Sequence, residues 1–99
     1  MTSDAVEGVA VEKRVARISD PVGLHLRAAS RIVQAAKQFA SDITIAYNGV
    51  EANAKSILGL ASLVARHQEP VEISAEGPDA LEALAALAQL IEHGLGEDA

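Results

Sequence analysis

The sequence contains no cysteine and no tryptophan, and its single tyrosine and single phenylalanine leave aromatic residues at 2% of the chain. Without cysteine there are no disulfides, no thiolate nucleophile and no sulfur ligand for a zinc site, a usage compatible with a reducing compartment. Without aromatics there is no platform on which unpaired bases stack, which disfavours single-stranded nucleic acid as a partner. Positive charge is also scarce. Eight Lys and Arg stand against 14 Asp and Glu, and the net charge of −6 repels nucleic-acid phosphates and anionic lipid surfaces alike. No apolar run approaches the roughly 20 residues that cross a bilayer. The opening MTSDAVEGVA has neither the basic start nor the apolar stretch of a secretory signal. The expectation is a cytoplasmic protein with no nucleic-acid partner and no membrane insertion.

What is present suits one domain. The chain has 99 residues, 49% of them hydrophobic and drawn almost wholly from Ala, Val, Leu and Ile, enough for one core and too few for two. Residues 1–10 are small, polar and acidic without a buried period and are read as a flexible tail, leaving 11–99 as the domain. Val11 to Ile18 reads as a strand of imperfect alternation, ended by Ser19-Asp20-Pro21. From Leu26 to about Gln38, Ala29, Ile32, Val33, Ala36 and Phe39 recur at helical spacing and trace one stripe. Ile43 and Ile45 alternate with Thr44 and Ala46, and Asn48-Gly49 then predicts a hairpin into Val50 to Asn53.

Lys55 to about Val64 is a short helical segment with more apolar residues than one narrow stripe can bury, so part should stay at the surface. Glu69 to Glu76 alternates as a half-buried strand, Gly77-Pro78-Asp79 turns the chain, and Leu81, Leu84, Ala88, Ile91 and Leu95 trace a final helix ending near Gly94. The order β-α-β-β-α-β-α predicts an α+β fold: an open-faced two-layer β-sandwich, with a four-stranded antiparallel sheet covered by three helices on one face.

The stretch Pro21-Val22-Gly23-Leu24-His25-Leu26-Arg27-Ala28-Ala29-Ser30 sets a histidine between a Pro/Gly loop and the first turn of the first helix. Unpaired amides and the positive dipole end make such a place suited to holding an anion beside the ring. Arg27, two residues on, and Arg31, a turn further, bring guanidinium groups that pair with phosphate. A neutral imidazole there has a free nitrogen able to attack phosphorus. The bland alternative is a solvated or capping histidine, and an isolated His-x-Arg is a weak signal. No Asp or Glu stands at a convincing triad spacing, so Ser-His-Asp hydrolysis is not indicated.

Two separated segments sharpen the choice. Gly23-Leu24-His25-Leu26-Arg27-Ala28-Ala29 resembles the active-site segment of the HPr family, the histidine-containing phosphocarriers of the bacterial sugar phosphotransferase system (PTS). Asn53-Ala54-Lys55-Ser56-Ile57-Leu58-Gly59-Leu60 resembles that family's regulatory serine segment, and Ser41-Asp42-Ile43, Tyr47-Asn48-Gly49 and Ile73-Ser74-Ala75-Glu76-Gly77 are similar as well. The resemblance runs from about Val15 to the C-terminus.

It implies the HPr open-faced sandwich and a carrier of sugar transport rather than a stand-alone enzyme, with no cofactor and no metal of its own. His25 would accept a phosphoryl group on Nδ1 from phospho-enzyme I and pass it to an enzyme IIA domain. Arg27 would contact that group. Ser56, which on spacing alone reads as a helix cap, would match the serine that an HPr kinase/phosphorylase modifies in some bacteria. Leu26, Ile57, Leu58, Leu60 and Leu63 would supply an apolar docking rim for the partners. The sequence departs from the family pattern at Leu26, where a small or polar residue is common, and at Ala28, where proline is. Ala28 removes a residue that presets the helix start, and Leu26 alters the partner-facing surface.

His67 and His93 have no neighbours at metal-ligand spacing and read as surface histidines, while Glu92, Glu97 and Asp98 read as a solvated end. The rival readings are a regulatory module of the same fold that docks to partners according to phosphorylation state, as in a nitrogen-related paralogue, and a structural domain whose histidine is incidental.

Overall fold

The computed structural model describes residues 11–95, so the expected tail at 1–10 and the acidic residues Glu97 and Asp98 lie outside the described residues. The elements follow as β1 (Val11–Arg17), α1 (Leu26–Ala36), β2 (Asp42–Tyr47), β3 (Val50–Asn53), α2 (Ile57–Ala61), β4 (Pro70–Glu76) and α3 (Ala80–His93). The strands form one sheet in the order β1-β4-β2-β3, each neighbouring pair antiparallel. The expected α+β sandwich with one helical layer is what forms.

Alternation explains which face of the sheet is covered. Ile43 and Ile45 on β2, Ala52 on β3, and Val71, Ile73 and Ala75 on β4 are buried, while their sequence neighbours are not. Ile45 pairs with Ala52 on one side and Ile73 on the other, so a row of apolar side chains crosses the sheet beneath the helices. On β1 only Ala16 is buried. Its imperfect pattern is that of an edge strand, where exposed Lys13, Arg14 and Arg17 discourage further pairing. The β2–β3 turn has Asn48 at φ 52° and Gly49 at φ 79°, the left-handed pair that the right-handed twist of a two-residue hairpin requires.

The helices are held by their small residues. α1 buries Ala28, Ala29, Ile32, Val33 and Ala36 on one stripe and ends two residues before the expected Gln38, in turns where Gln38 and Phe39 donate to Ala35 and Ala36. α3 buries Ala80, Ala83, Leu84, Leu87, Ala88 and Ile91. Leu81, expected on that stripe, is 64% exposed instead. The buried row Ala80, Leu84, Leu87, Ile91 follows helical spacing and turns Leu81 about 100° away from the sheet.

Asp79 precedes α3 without capping it. Its carboxylate reaches back to the start of β2, accepting from Ala40 N–H and Ser41 N–H at 2.9 Å each and from the buried Ser41 hydroxyl. The Ser41 hydroxyl, then the Ala40 amide, hold the Asp79 carboxyl below its ordinary value near 3.8. Gly77, at φ 149°, lies so close that a Cβ would fall 2.6 Å from Ser41 Oγ.

Candidate functional site

The loop from Ile18 to His25 is tied down at both ends. Ile18 N–H donates to Glu69 O at 3.0 Å, Ser19 N–H to Ile91 O at 3.0 Å and Leu24 N–H to Ala65 O at 2.8 Å. Gly23 takes φ 97°, and a Cβ there would lie 2.6 Å from Ala65 O, so glycine is what lets the loop approach the segment after α2. Leu24, 4% exposed, anchors the loop in the core, and the next residue emerges at the surface.

That residue is His25, the N-cap of α1. Its Nδ1 accepts the Arg27 N–H at 3.2 Å, and its Nε2 lies 3.1 Å from Asp20 Oδ2. The side chain is 32% exposed, against 1% for Asp20. The helix start forms without proline: Ala28 is fully buried under the first turn, so its Cβ packs there where the expected deficit was preorganisation. Arg27 is exposed, and its guanidinium has no hydrogen-bond partner among the described residues. Arg31 is not available in the same way, because its Nη1 donates to Gly94 O at 3.1 Å, at the far end of α3.

Asp20 was missed by reasoning on spacing, which found no carboxylate partner for this ring. The turn in which Gly23 N–H donates to Asp20 O at 2.9 Å and Val22 N–H to Asp20 Oδ1 at 2.8 Å curls residue 20 back under the histidine. The sequence signal was an Asx turn, Asp before Pro, which says that the carboxylate points along its own loop. His67 is at the surface as expected, yet its Nδ1 lies 3.2 Å from Asp20 O.

Ser56 is the N-cap of α2, its hydroxyl accepting from Gly59 N–H at 3.1 Å. The docking rim is corrected in two places. Leu60 and Leu63 are 0% and 6% exposed and belong to the core: Leu60 is the one buried residue of the five-residue α2, which packs against α1 and β3, and Leu63 turns inward in the segment that follows it. Leu26, Ile57 and Leu58, at 58%, 39% and 76%, remain at the surface, joined by Val22 on the loop and Val64 after α2. Among the described residues, no group of three or more His, Cys, Asp or Glu could hold a metal ion.

Comparison with known proteins agrees with this architecture. The family pattern described as "PTS HPr component phosphorylation site" matches residues 12–93. The chain is similar to the phosphocarrier protein HPr of Mycoplasma genitalium, with 45% identity over 83 residues, 83% of this chain and 94% of that one. It is also similar to the HPr of Neisseria meningitidis, with 38% identity over 86% of this chain and 96% of that one. The crystal structure of HPr from Thermoanaerobacter tengcongensis superposes with a TM-score of 0.81 and 40% identity, over 89% of this chain and 99% of that one. The chain therefore belongs to the HPr family, and its function is that of a phosphocarrier passing a phosphoryl group by way of a histidine in the phosphotransferase system.

Proposed function

We propose that His25 is the residue that carries the phosphoryl group, on Nδ1. The observation that supports this reading best is the ring's place as N-cap of α1, with Nδ1 unprotonated toward the Arg27 amide and a third of the side chain open to a partner. Attack by the Nδ1 lone pair forms the N–P bond as the donor's bond to phosphorus breaks in line. The incoming oxygens take over the Arg27 N–H that Nδ1 releases, and the helix dipole favours their charge. The exposed Arg27 guanidinium, without a hydrogen-bond partner among the described residues, supplies the second contact.

Members of the family exchange phosphoryl groups with enzyme I and with IIA domains. For this chain we read the apolar surface of Leu26, Ile57 and Leu58 as the one those partners cover while the donor or acceptor nitrogen reaches His25. Ser56 is read as the target of an HPr kinase/phosphorylase. A phosphate there replaces a hydroxyl that already accepts a helix amide and sets a dianion beside Ile57 and Leu58, weakening docking without unfolding α2. No described helix is long and apolar enough to cross a membrane.

The test is incubation with enzyme I and phosphoenolpyruvate, followed by intact-mass measurement and acid treatment. One acid-labile phosphate in the wild type, gone in His25→Ala, is expected. Label that persists in His25→Ala removes the role from His25.

A further inference from the structure

Asp20 is the only charged side chain buried among the described residues. A buried carboxylate is costly unless its oxygens are satisfied, and the local turn needs only one of them. Oδ1 accepts Val22 N–H at 2.8 Å, a task that a neutral Asn or Ser performs in the same kind of turn. The second oxygen and the charge are left over, and they face one group, His25 Nε2 at 3.1 Å.

Resting on the reading of His25 as acceptor, the geometry points to Asp20 as a positioning residue for phosphoryl transfer, one that holds His25 in the Nε2–H tautomer and stays paired with the ring while Nδ1 carries phosphorus. The two nitrogens are constrained independently. A backbone amide can only donate, so the Arg27 N–H requires a lone pair on Nδ1, and an ionised carboxylate can only accept, so Asp20 requires a proton on Nε2. Both partners name the same tautomer, the one whose nucleophilic lone pair lies at the helix start.

The transfer step then balances without moving a proton. The Nδ1 lone pair becomes the N–P bond, the electron pair of the donor's bond to phosphorus returns to the donor's nitrogen, and Nε2 keeps the hydrogen it already had. The positive charge left on the ring is opposed by the Asp20 carboxylate, and discharge to an acceptor nitrogen runs the same changes in reverse. This is the histidine-orienting role that a buried aspartate plays beside other nucleophilic or basic histidines.

Asp20 is itself braced. Its backbone carbonyl accepts Gly23 N–H at 2.9 Å and meets His67 Nδ1 at 3.2 Å, and the Gln68 side-chain amide lies 3.4 Å from His67 Nε2. One tautomer again serves both contacts: His67 donates from Nδ1 to Asp20 O and accepts at Nε2 from Gln68. On the other side, the neighbouring Ser19 is bonded to Ile91 O and Leu95 N–H. A backbone shift at Asp20 therefore has to break contacts to two other parts of the chain, His67 and the end of α3.

The experiment uses the full chain labelled with ¹⁵N in its histidines, recorded first without any phosphoryl donor and then in an enzyme I phosphorylation time course. Asp20→Ser keeps an acceptor for Val22 N–H but has no second oxygen. Asp20→Asn, with its single oxygen on Val22 N–H, turns an NH₂ toward Nε2. In the wild type the ring nitrogen shifts should report the Nε2–H tautomer with an exchange-protected Nε2 proton. Asp20→Ser should lose that protection, Asp20→Asn should gain the Nδ1–H tautomer, and both should be phosphorylated about tenfold more slowly while melting cooperatively. A wild-type ring without a protected Nε2 proton overturns the proposal, as does either readout changing in the variants without the other. Because the ring spectra need no phosphoryl transfer, they test Asp20 even if label survives in His25→Ala, the outcome that defeats the acceptor reading instead.

Discussion

Gly23→Ala is the perturbation that most directly joins this fold to its site. The glycine sits at φ 97°, and its added Cβ would lie 2.6 Å from Ala65 O and 3.2 Å from Arg66 Cα, both backbone atoms that cannot swing aside as a side chain can. The oxygen it strikes is also the acceptor of the Leu24 N–H bond at 2.8 Å, so relieving the clash lengthens the contact that seats the loop. Left-handed backbone costs an alanine about 1–2 kcal/mol, and crowding of this kind about 1–3 kcal/mol. The stiffer unfolded chain returns about 0.4–1 kcal/mol. The net loss should be about 1.5–4 kcal/mol by these same terms, read as a lower urea midpoint at unchanged slope. Gly49→Ala isolates the backbone contribution, since Gly49 is at φ 79° with nothing within 4 Å of its Cβ. It should cost about 1 kcal/mol or less and leave phosphorylation unchanged, whereas Gly23→Ala should slow it. Equal midpoints for the two variants would refute the close-approach argument.

Three further outcomes follow from the same contacts. Leu60→Ala should lose about 2–5 kcal/mol from a fully buried site, whereas Leu58→Ser should leave the melting temperature within a few degrees and weaken enzyme I docking; titration calorimetry beside thermal melts separates them. Val64 is a β-branched residue at φ 57° and 66% exposed, so Val64→Gly should raise stability by about 0.5–1 kcal/mol as relief of strain exceeds the entropy of glycine, and a fall in melting temperature would contradict this. The Tyr47 hydroxyl, then the Arg66 amide, hold the Glu69 carboxyl below its ordinary value near 4.5, and Asp79 is lowered likewise. Folded values below unfolded ones mean stability that is present above those ordinary values and lost as pH falls through the folded ones. Stability should therefore decline below about pH 4.5, and Asp79→Asn should flatten the decline in acid denaturation curves.

Much of the architecture was legible because it is written in local periods. Ile43 and Ile45 alternate before Asn48-Gly49, and Ala29, Ile32, Val33 and Ala36 step at helical spacing; both forms appear as expected. Leu58 and Leu60 were not separable in this way. Five residues of helix contain no repeat, and which leucine meets the sheet depends on how α2 lies across its neighbours. His25 and its helix start were legible from Gly23 to Ala29, since capping is a local event. The Asp20 contact was not, because it arises from the path of a turn. Arg31 is a third case: at helical spacing it neighbours Arg27, but its acceptor is a carbonyl 63 residues away in sequence.

The clamp on the His25 loop has a consequence for the order in which the protein becomes competent. Ser19 N–H is held by Ile91 O, Leu95 N–H by Ser19 Oγ across 76 residues of sequence, and Arg31 by Gly94 O. During synthesis the histidine and its first helix leave the ribosome early, while the carbonyls that brace them arrive with the last turn of α3. A nascent chain therefore exposes the histidine long before the contacts that brace its loop can form.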